Sequence, residues 1–307
     1  MSRHPFATVA VLCGTLAACS TLPPEPPGQL RSEQLLALDA GMTLLHITAR
    51  QPSQPRARVP VRGLAAGEQL LGIDYRVARG VLYGLGSQGR LYTIDPDSGQ
   101  ARAVAEQGAT LVAGKRYDID FNPTVDRIRV VSDLGGNMRL HPDTGKAIDG
   151  NAAVDGVQSD SPLQYVAGDV AAGKQAAVVA VAYTYNARND KITTLYGIDA
   201  EGGTLVMQGS HENETPFVSP DKGSLRTVGS LLLPGWDLVG LQRGEQGYGA
   251  IQQAAFDISD VKNVAMLAAR QKLGGSQLYE VNLQTGRATR LGRIDQGQAL
   301  VGLAIVP

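Results

Sequence analysis

Residues 72–99 and 118–145 are two gapless copies of one motif, 46 positions apart. The first copy runs Gly72-Ile73-Asp74-Tyr75, then Gly80-Val81-Leu82-Tyr83-Gly84-Leu85, then Arg90-Leu91-Tyr92-Thr93-Ile94-Asp95-Pro96-Asp97-Ser98-Gly99. The second runs Asp118-Ile119-Asp120-Phe121, then Asp126-Arg127-Ile128-Arg129-Val130-Val131, then Asn137-Met138-Arg139-Leu140-His141-Pro142-Asp143-Thr144-Gly145. A period of about 40–50 residues, made of short strands and turns, is the signature of a propeller blade. The repeat constrains the fold far more than it constrains the activity.

Followed outward, the repeat predicts an all-β propeller. The second blade takes strands near 70–76, 80–86, 90–95 and 100–105, and the third takes 116–121, 126–132, 136–141 and about 146–155. Their turns, 95–99 and 142–145, carry the Pro, Asp and Gly that tight hairpins need. In the fourth blade, 163–169 reads as an inner strand and 177–185 as the second; 194–199 copies 90–95, and 205–209 and 225–233 follow around a polar loop at 211–222. The fifth runs through 255–258, 264–269, 278–282 and 288–294. The first blade has three strands (35–38, 43–49, 57–62) and lacks an inner one. Residues 297–305 resemble the inner strand at 67–75, so the C-terminal strand is expected to complete the first blade and close the ring. This gives five blades; a sixth would have to come from 210–250, which is long enough to hide part of one.

The ends and the composition place this domain. Arg3 and His4 precede an apolar run from Phe6 to Leu16, and Leu16-Ala17-Ala18-Cys19 resembles a bacterial lipobox. A membrane span needs about 20 apolar residues, and this run stops near eleven. The expected division is a leader at 1–18, a lipidated (palmitate-type) Cys19 with a stiff Pro-rich tether at 19–32, and one propeller at 33–307. Ser20 after the cysteine resembles an outer-membrane signal, so the domain is expected to face the periplasm or the cell exterior. The formal net charge is −1, with no block of one sign to argue for nucleic acid as a partner. The 37 glycines fit an all-β chain with many turns.

Several of these segments resemble the bacterial domain of unknown function 4394 family over roughly 35–307. Those carrying the resemblance are Leu71-Gly72-Ile73-Asp74-Tyr75, Gly89-Arg90-Leu91-Tyr92-Thr93-Ile94-Asp95-Pro96, Asp120-Phe121-Asn122-Pro123, Asp126-Arg127-Ile128-Arg129-Val130-Val131-Ser132 and Ala182-Tyr183-Thr184. The resemblance implies a repeat-built propeller and carries over no catalytic residue.

Two constellations could carry chemistry. Asp74, Asp120 and Asp257 fall at one position of three inner strands. They form either a ring of carboxylates able to hold a hard cation such as Ca²⁺ at the channel mouth, or turn acceptors for main-chain N–H groups after each strand. Repetition favours the structural role, and Ala304 breaks the ring in another blade. The third blade places Arg127 and Arg129 where the second has Val81 and Tyr83. A hairpin turning near Leu134-Gly135 sets Arg129 opposite Arg139 and Arg127 opposite His141, so these four and Asn137 share a face. Like charges that close need carboxylates, for which Asp118, Asp120, Asp126 and Asp133 are candidates, or an anionic ligand.

Conventional catalysis has little to build on. His46, His141 and His211 have no metal-ligand spacing, and Gly84-Leu85-Gly86 lies inside a hairpin rather than opening a helix. Tyr83, Tyr92, Tyr196 and Tyr279 recur at repeat positions and read as packing. Trp236 reads as a residue covering the core. The sequence thus points to a lipid-anchored envelope propeller that binds an envelope protein or a small molecule. The rival is a propeller hydrolase or lactonase using a divalent metal at the channel mouth.

Overall fold

The computed structural model describes residues 31–233, 251–260, 262–272 and 274–307. The leader, Cys19, most of the Pro-rich tether and Trp236 lie outside the described residues. The strands fall into five sheets arranged as the blades of a ring. The first combines β1 (Gln34–Asp39), β2 (Thr43–Thr48) and β3 (Ala57–Pro60) with β20 (Leu300–Ile305) from the other end of the chain. The second contains β4 (Leu70–Arg76), β5 (Val81–Gly86), β6 (Leu91–Ile94) and β7 (Ala101–Ala103). The third has only β8 (Tyr117–Asn122), β9 (Arg127–Ser132) and β10 (Asn137–Leu140). The fourth has β12 (Val178–Tyr183), β13 (Leu195–Asp199), β14 (Thr204–Gln208) and β15 (Ser224–Ser230), with β11 (Gln164–Tyr165) added parallel to β15 at the rim. The fifth has β16 (Ile251–Ile258), β17 (Ala265–Gln271), β18 (Gln277–Val281) and β19 (Ala288–Arg293).

The inner strands β20, β4, β8, β12 and β16 each pack on the next around the ring. As the sequence predicts, β20 pairs antiparallel with β1, from Leu35 opposite Ile305 to Leu38 opposite Gly302. Among the described residues the blades number five.

Two strand expectations fail. Residues 146–155 do not form a fourth strand of the third blade; the backbone makes one bridge, Leu140 to Ala147, and then leaves the edge. Residues 163–169 are not the inner strand of the fourth blade, because 164–165 form the rim strand and Val178–Tyr183 lies innermost. The misreading has a physical cause. Every residue of β12 is buried, so it reads as an unmarked apolar run, and Ala182 stands where other inner strands carry their aspartate.

The hairpins between third and fourth strands share one chemistry. Asp95 Oδ1 accepts from the Asp97 and Ser98 amides at 3.0 Å each, and Gly99 then turns with φ 72°. Asn282 Oδ1 does the same for Gln284 and Thr285 at 2.9 and 3.0 Å, ahead of Gly286 at φ 77°. A side-chain acceptor followed by a left-handed residue fixes the turn, and glycine meets that demand without a Cβ penalty.

Apolar packing is divided among the joints. Five buried clusters each span one pair of neighbouring blades. The second–third joint includes Tyr83 edge-on to Phe121, with ring centroids 5.1 Å apart. The third–fourth joint is different, since Val131 is the one buried member its third blade supplies. Charge takes over there.

Candidate functional site: an inter-blade cleft and a carboxylate ring

The face of the molecule beyond the C-terminal ends of the inner strands carries both constellations. On the axis, Asp74, Asp120 and Asp257 are buried, with a carboxylate oxygen of each within 4.8 Å of the others. Each reaches across a blade joint rather than into its own turn. Asp74 Oδ2 accepts from Phe121 N at 2.7 Å, Asp120 Oδ1 from Tyr183 N at 2.7 Å, and Asp257 Oδ2 from Ile305 N at 2.5 Å. Asp74 and Asp257 also accept the amide of the following residue, Tyr75 at 2.7 Å and Ile258 at 2.6 Å. Asp118 repeats the device one pair deeper, accepting from Val181 N at 3.0 Å. Ala182 and Ala304 occupy the two remaining places.

Burial dominates the electrostatics of this ring. It pushes the Asp74 carboxyl up to about 7, against the main-chain donors that pull it down. It also raises Asp120 and Asp257 well above the usual carboxylate range, with the neighbouring carboxylates adding to the effect. The Asp74 and Asp120 carboxyls lie close enough for each to act on the other's ionisation, so the two titrate as a pair. Ca²⁺ takes about six to eight oxygens. Here both oxygens of Asp74 and of Asp257 already accept main-chain amides, so the ring has a structural use for its carboxyls. Above the ring, a hollow of about 300 Å³ is lined by Tyr185, Asn186, Asp190, Asp260, Asn122 and Arg76, among others.

The third blade's arginines meet in the predicted register, with Arg139 opposite Arg129. Arg129 is buried and fully engaged. Its Nη1 donates to Asp160 at 2.6 Å and to Asn137 at 2.8 Å, its Nη2 to Asp221 at 2.5 Å, and its Nε to the Tyr183 hydroxyl at 3.3 Å. Arg139 grips both oxygens of Asp160, at 2.7 and 2.8 Å. The Asp160 side chain is wholly buried, whereas that of Asp221 is 34 % exposed. This network stands beside the apolar cluster of the third–fourth joint, to which the third blade gives only Val131. Burial pulls the Arg129 pKa down, yet Tyr183, Asp160 and Asp221 outweigh it and leave the guanidinium firmly charged.

The partners differ from those the sequence suggested. Asp126 pairs with Arg76 and Asp133 with Arg116, while Asp118 and Asp120 serve the axis. Asp160 and Asp221 come from loops 31 and 92 positions away from Arg129, outside any repeat position that could mark them. His141 is used locally: its Nδ1 accepts from Asp143 N at 3.2 Å, taking the turn position held elsewhere by Asp95 and Asn282. Asn137 ties the network to the fourth blade, donating to the Ser161 carbonyl at 2.9 Å.

In front of this network lies an open cleft of about 560 Å³ between the third and fourth blades. Arg127, Arg129, Arg139 and Lys191 line it on the cationic side, with Asp221 the one acidic lining residue. Arg127 directs its Nη1 to the carbonyls of Val125 and Asp126, and among the described residues neither Arg127 nor Lys191 has a carboxylate partner. The recurring Tyr83, Tyr92, Tyr196 and Tyr279 are buried in the joints. His46 bonds the Pro96 carbonyl at 2.9 Å, and the His211 ring nitrogen lies 3.4 Å from Asn213 N.

Among curated proteins, none matches the chain. Solved structures overlay on it only loosely. TolB from Acinetobacter baumannii shares 10 % identity at a TM-score of 0.41, over 87 % of this chain and 54 % of its own. A Bacteroides thetaiotaomicron VPI-5482 protein of unknown function shares 12 % at 0.42, over 89 % and 60 %. The computationally designed Ika4 protein shares 12 % at 0.31, over 75 % and 100 %. The chain therefore spans little more than half the length of the first of these. A family model matches residues 43–304, nearly the whole ring, and by that match the chain belongs to the family described as domain of unknown function DUF4394.

Proposed function

We propose that this protein is a binding module of the bacterial cell envelope, tethered through lipid on Cys19, and that its ligand site is the cleft between the third and fourth blades. The observation that carries the reading is a charge imbalance: four cationic side chains line a concave and open cleft in which Asp221 is the one acidic lining residue. The buried Arg129 and the half-buried Arg139 are matched by Asp160 and Asp221. Among the described residues Arg127 and Lys191 have no carboxylate partner, so an anion entering the cleft would meet two cationic side chains whose charge is uncommitted. Pockets of about 300–1,000 Å³ are the size that hold small ligands.

Thermal melts test this directly. Phosphate, compared with chloride at equal ionic strength, should raise the Tm by an increment that saturates. A ligand at ten times its Kd adds about 1.4 kcal/mol, or roughly 3–5 °C for a chain of this size. Lys191→Ala, an exposed change, should weaken the increment without lowering the melting point in chloride. Equal melting in phosphate and chloride would dispose of the anion site.

A further inference from the structure

The cleft is cationic on one side only. Two of the large apolar side chains exposed on this molecule, Val125 (55 %) and Phe217 (59 %), stand at its lining, with Ile148 and Ile192 partly exposed beside them. Val125 belongs to the β8–β9 turn of the third blade and Phe217 to the 211–222 loop of the fourth, so the two blades bring apolar groups to one cavity from separate parts of the chain. A single exposed apolar residue needs no explanation. A cluster of them around unpaired cations in a concave site is the usual make-up of a small-molecule pocket, where apolar walls supply affinity and a few charges fix orientation.

We infer that the ligand of this cleft is a small anion carrying an aromatic group, its charge on Arg127 and Lys191 and its ring against Phe217. This rests on the anion-binding reading of the cleft and adds the class of ligand. Size supports it, because an inorganic oxyanion alone would leave most of about 560 Å³ unfilled. Chemistry supports it as well. Phe217 offers a ring face or edge for an aromatic partner, and a planar guanidinium such as Arg127 stacks on aromatic surfaces while binding oxyanions. Charge complementarity also selects against a neutral aromatic compound, which would leave the cations unmatched.

Calorimetric titration of the full domain with three probes tests the inference: inorganic phosphate, phenyl phosphate and phenol. Phenyl phosphate should bind about tenfold more tightly than phosphate, a ~1.4 kcal/mol gain that ring burial and stacking can provide. Phenol should not bind measurably. Phe217→Ala should bring phenyl phosphate down to the affinity of phosphate, while Lys191→Ala should weaken both anions together. Because both residues are exposed, circular dichroism and melting in chloride should match wild type. Equal affinity for phosphate and phenyl phosphate, or a Phe217→Ala variant that keeps the difference, would overturn the aromatic class and leave the anion cleft standing. Phenol binding as well as phenyl phosphate would overturn the anionic class of the aromatic ligand, and failure of both anions to bind would overturn the anion cleft itself.

Discussion

At the scale of single residues, Asp120 is the position where a proton matters most. Its Oδ1 accepts from Tyr183 N, and its carboxyl lies within 4.8 Å of that of Asp74, with which a protonated Asp120 would share its hydrogen. Other charged or titratable groups acting on this ring are Asp118 on the same strand, Asp257 on β16, and Tyr185 and Asp260 beyond the strand ends. An ordinary aspartate titrates near 3.9 when unfolded, whereas Asp74 holds its proton to about 7 in the folded ring. Between those values the native state binds more protons than the unfolded chain. The ring's contribution is therefore whole at acid pH and lost as pH rises through about 7. Asp120→Asn places a permanent amide donor toward Asp74 and keeps a carbonyl for Tyr183 N. The fall in Tm from pH 5 to pH 8 should accordingly be smaller in Asp120→Asn. The difference is about 4–8 °C if the shared proton is worth ~2 kcal/mol. Carboxyls shifted downward, such as Asp133, Asp143 and Asp169, are common to both proteins and cancel in the comparison. Parallel pH profiles for the two would show that the ring holds no such proton.

At the scale of elements, how clearly each strand could be read in sequence followed from what marked it. The second, third and fifth blades announce themselves through turn acceptors and left-handed glycines, which only one backbone shape needs. The closing strand is legible because Gly302 repeats Gly72. A Cβ at Gly302 would lie 2.8 Å from Ile73 Cγ1, and one at Gly72 would lie 3.1 Å from an Asp118 oxygen, so neighbouring inner strands demand a small residue at both places. Strand β12 carries neither mark, and the partners of Arg129 sit in loops without periodicity. The register of the arginines was thus readable, but their counter-charges were not. The closing strand yields a prediction of its own. Leu300, Leu303 and Ile305 are nearly fully buried, and Ile305 N donates to Asp257. At about 1.5–3 kcal/mol per buried side chain, deleting 300–307 removes an amount comparable to the ~5–15 kcal/mol stability of a whole domain. Calorimetry should find no cooperative transition near the wild-type Tm. A truncated protein melting within about 2 °C of the parent, given ~2–4 °C per kcal/mol, would mean that the ring closes without β20.

At the scale of the whole molecule, the described part begins with Arg31 paired to Glu280 of the fifth blade. This fixes where a tether would leave the ring. No described helix is long and apolar enough to cross a membrane. If the only hold on the envelope is lipid on Cys19, Cys19→Ala should move the protein from the membrane fraction to the soluble one, or leave it as unprocessed precursor. Fractionation followed by mass spectrometry of the amino terminus checks this. A Cys19→Ala protein that is processed normally and stays with the outer membrane would rule the lipid anchor out.

The seam between β1 and β20 joins residues 35–39 to residues 300–305. A ribosome must therefore pass residue 305 before the first sheet can acquire its innermost strand. An unfinished chain, whether stalled in synthesis or trimmed afterwards, remains an open arc. Its bare strand edge is the kind of surface that proteases and aggregation act on. Closure is thereby written into the architecture: the first blade is whole only once residues 300–305 exist to meet residues 35–39.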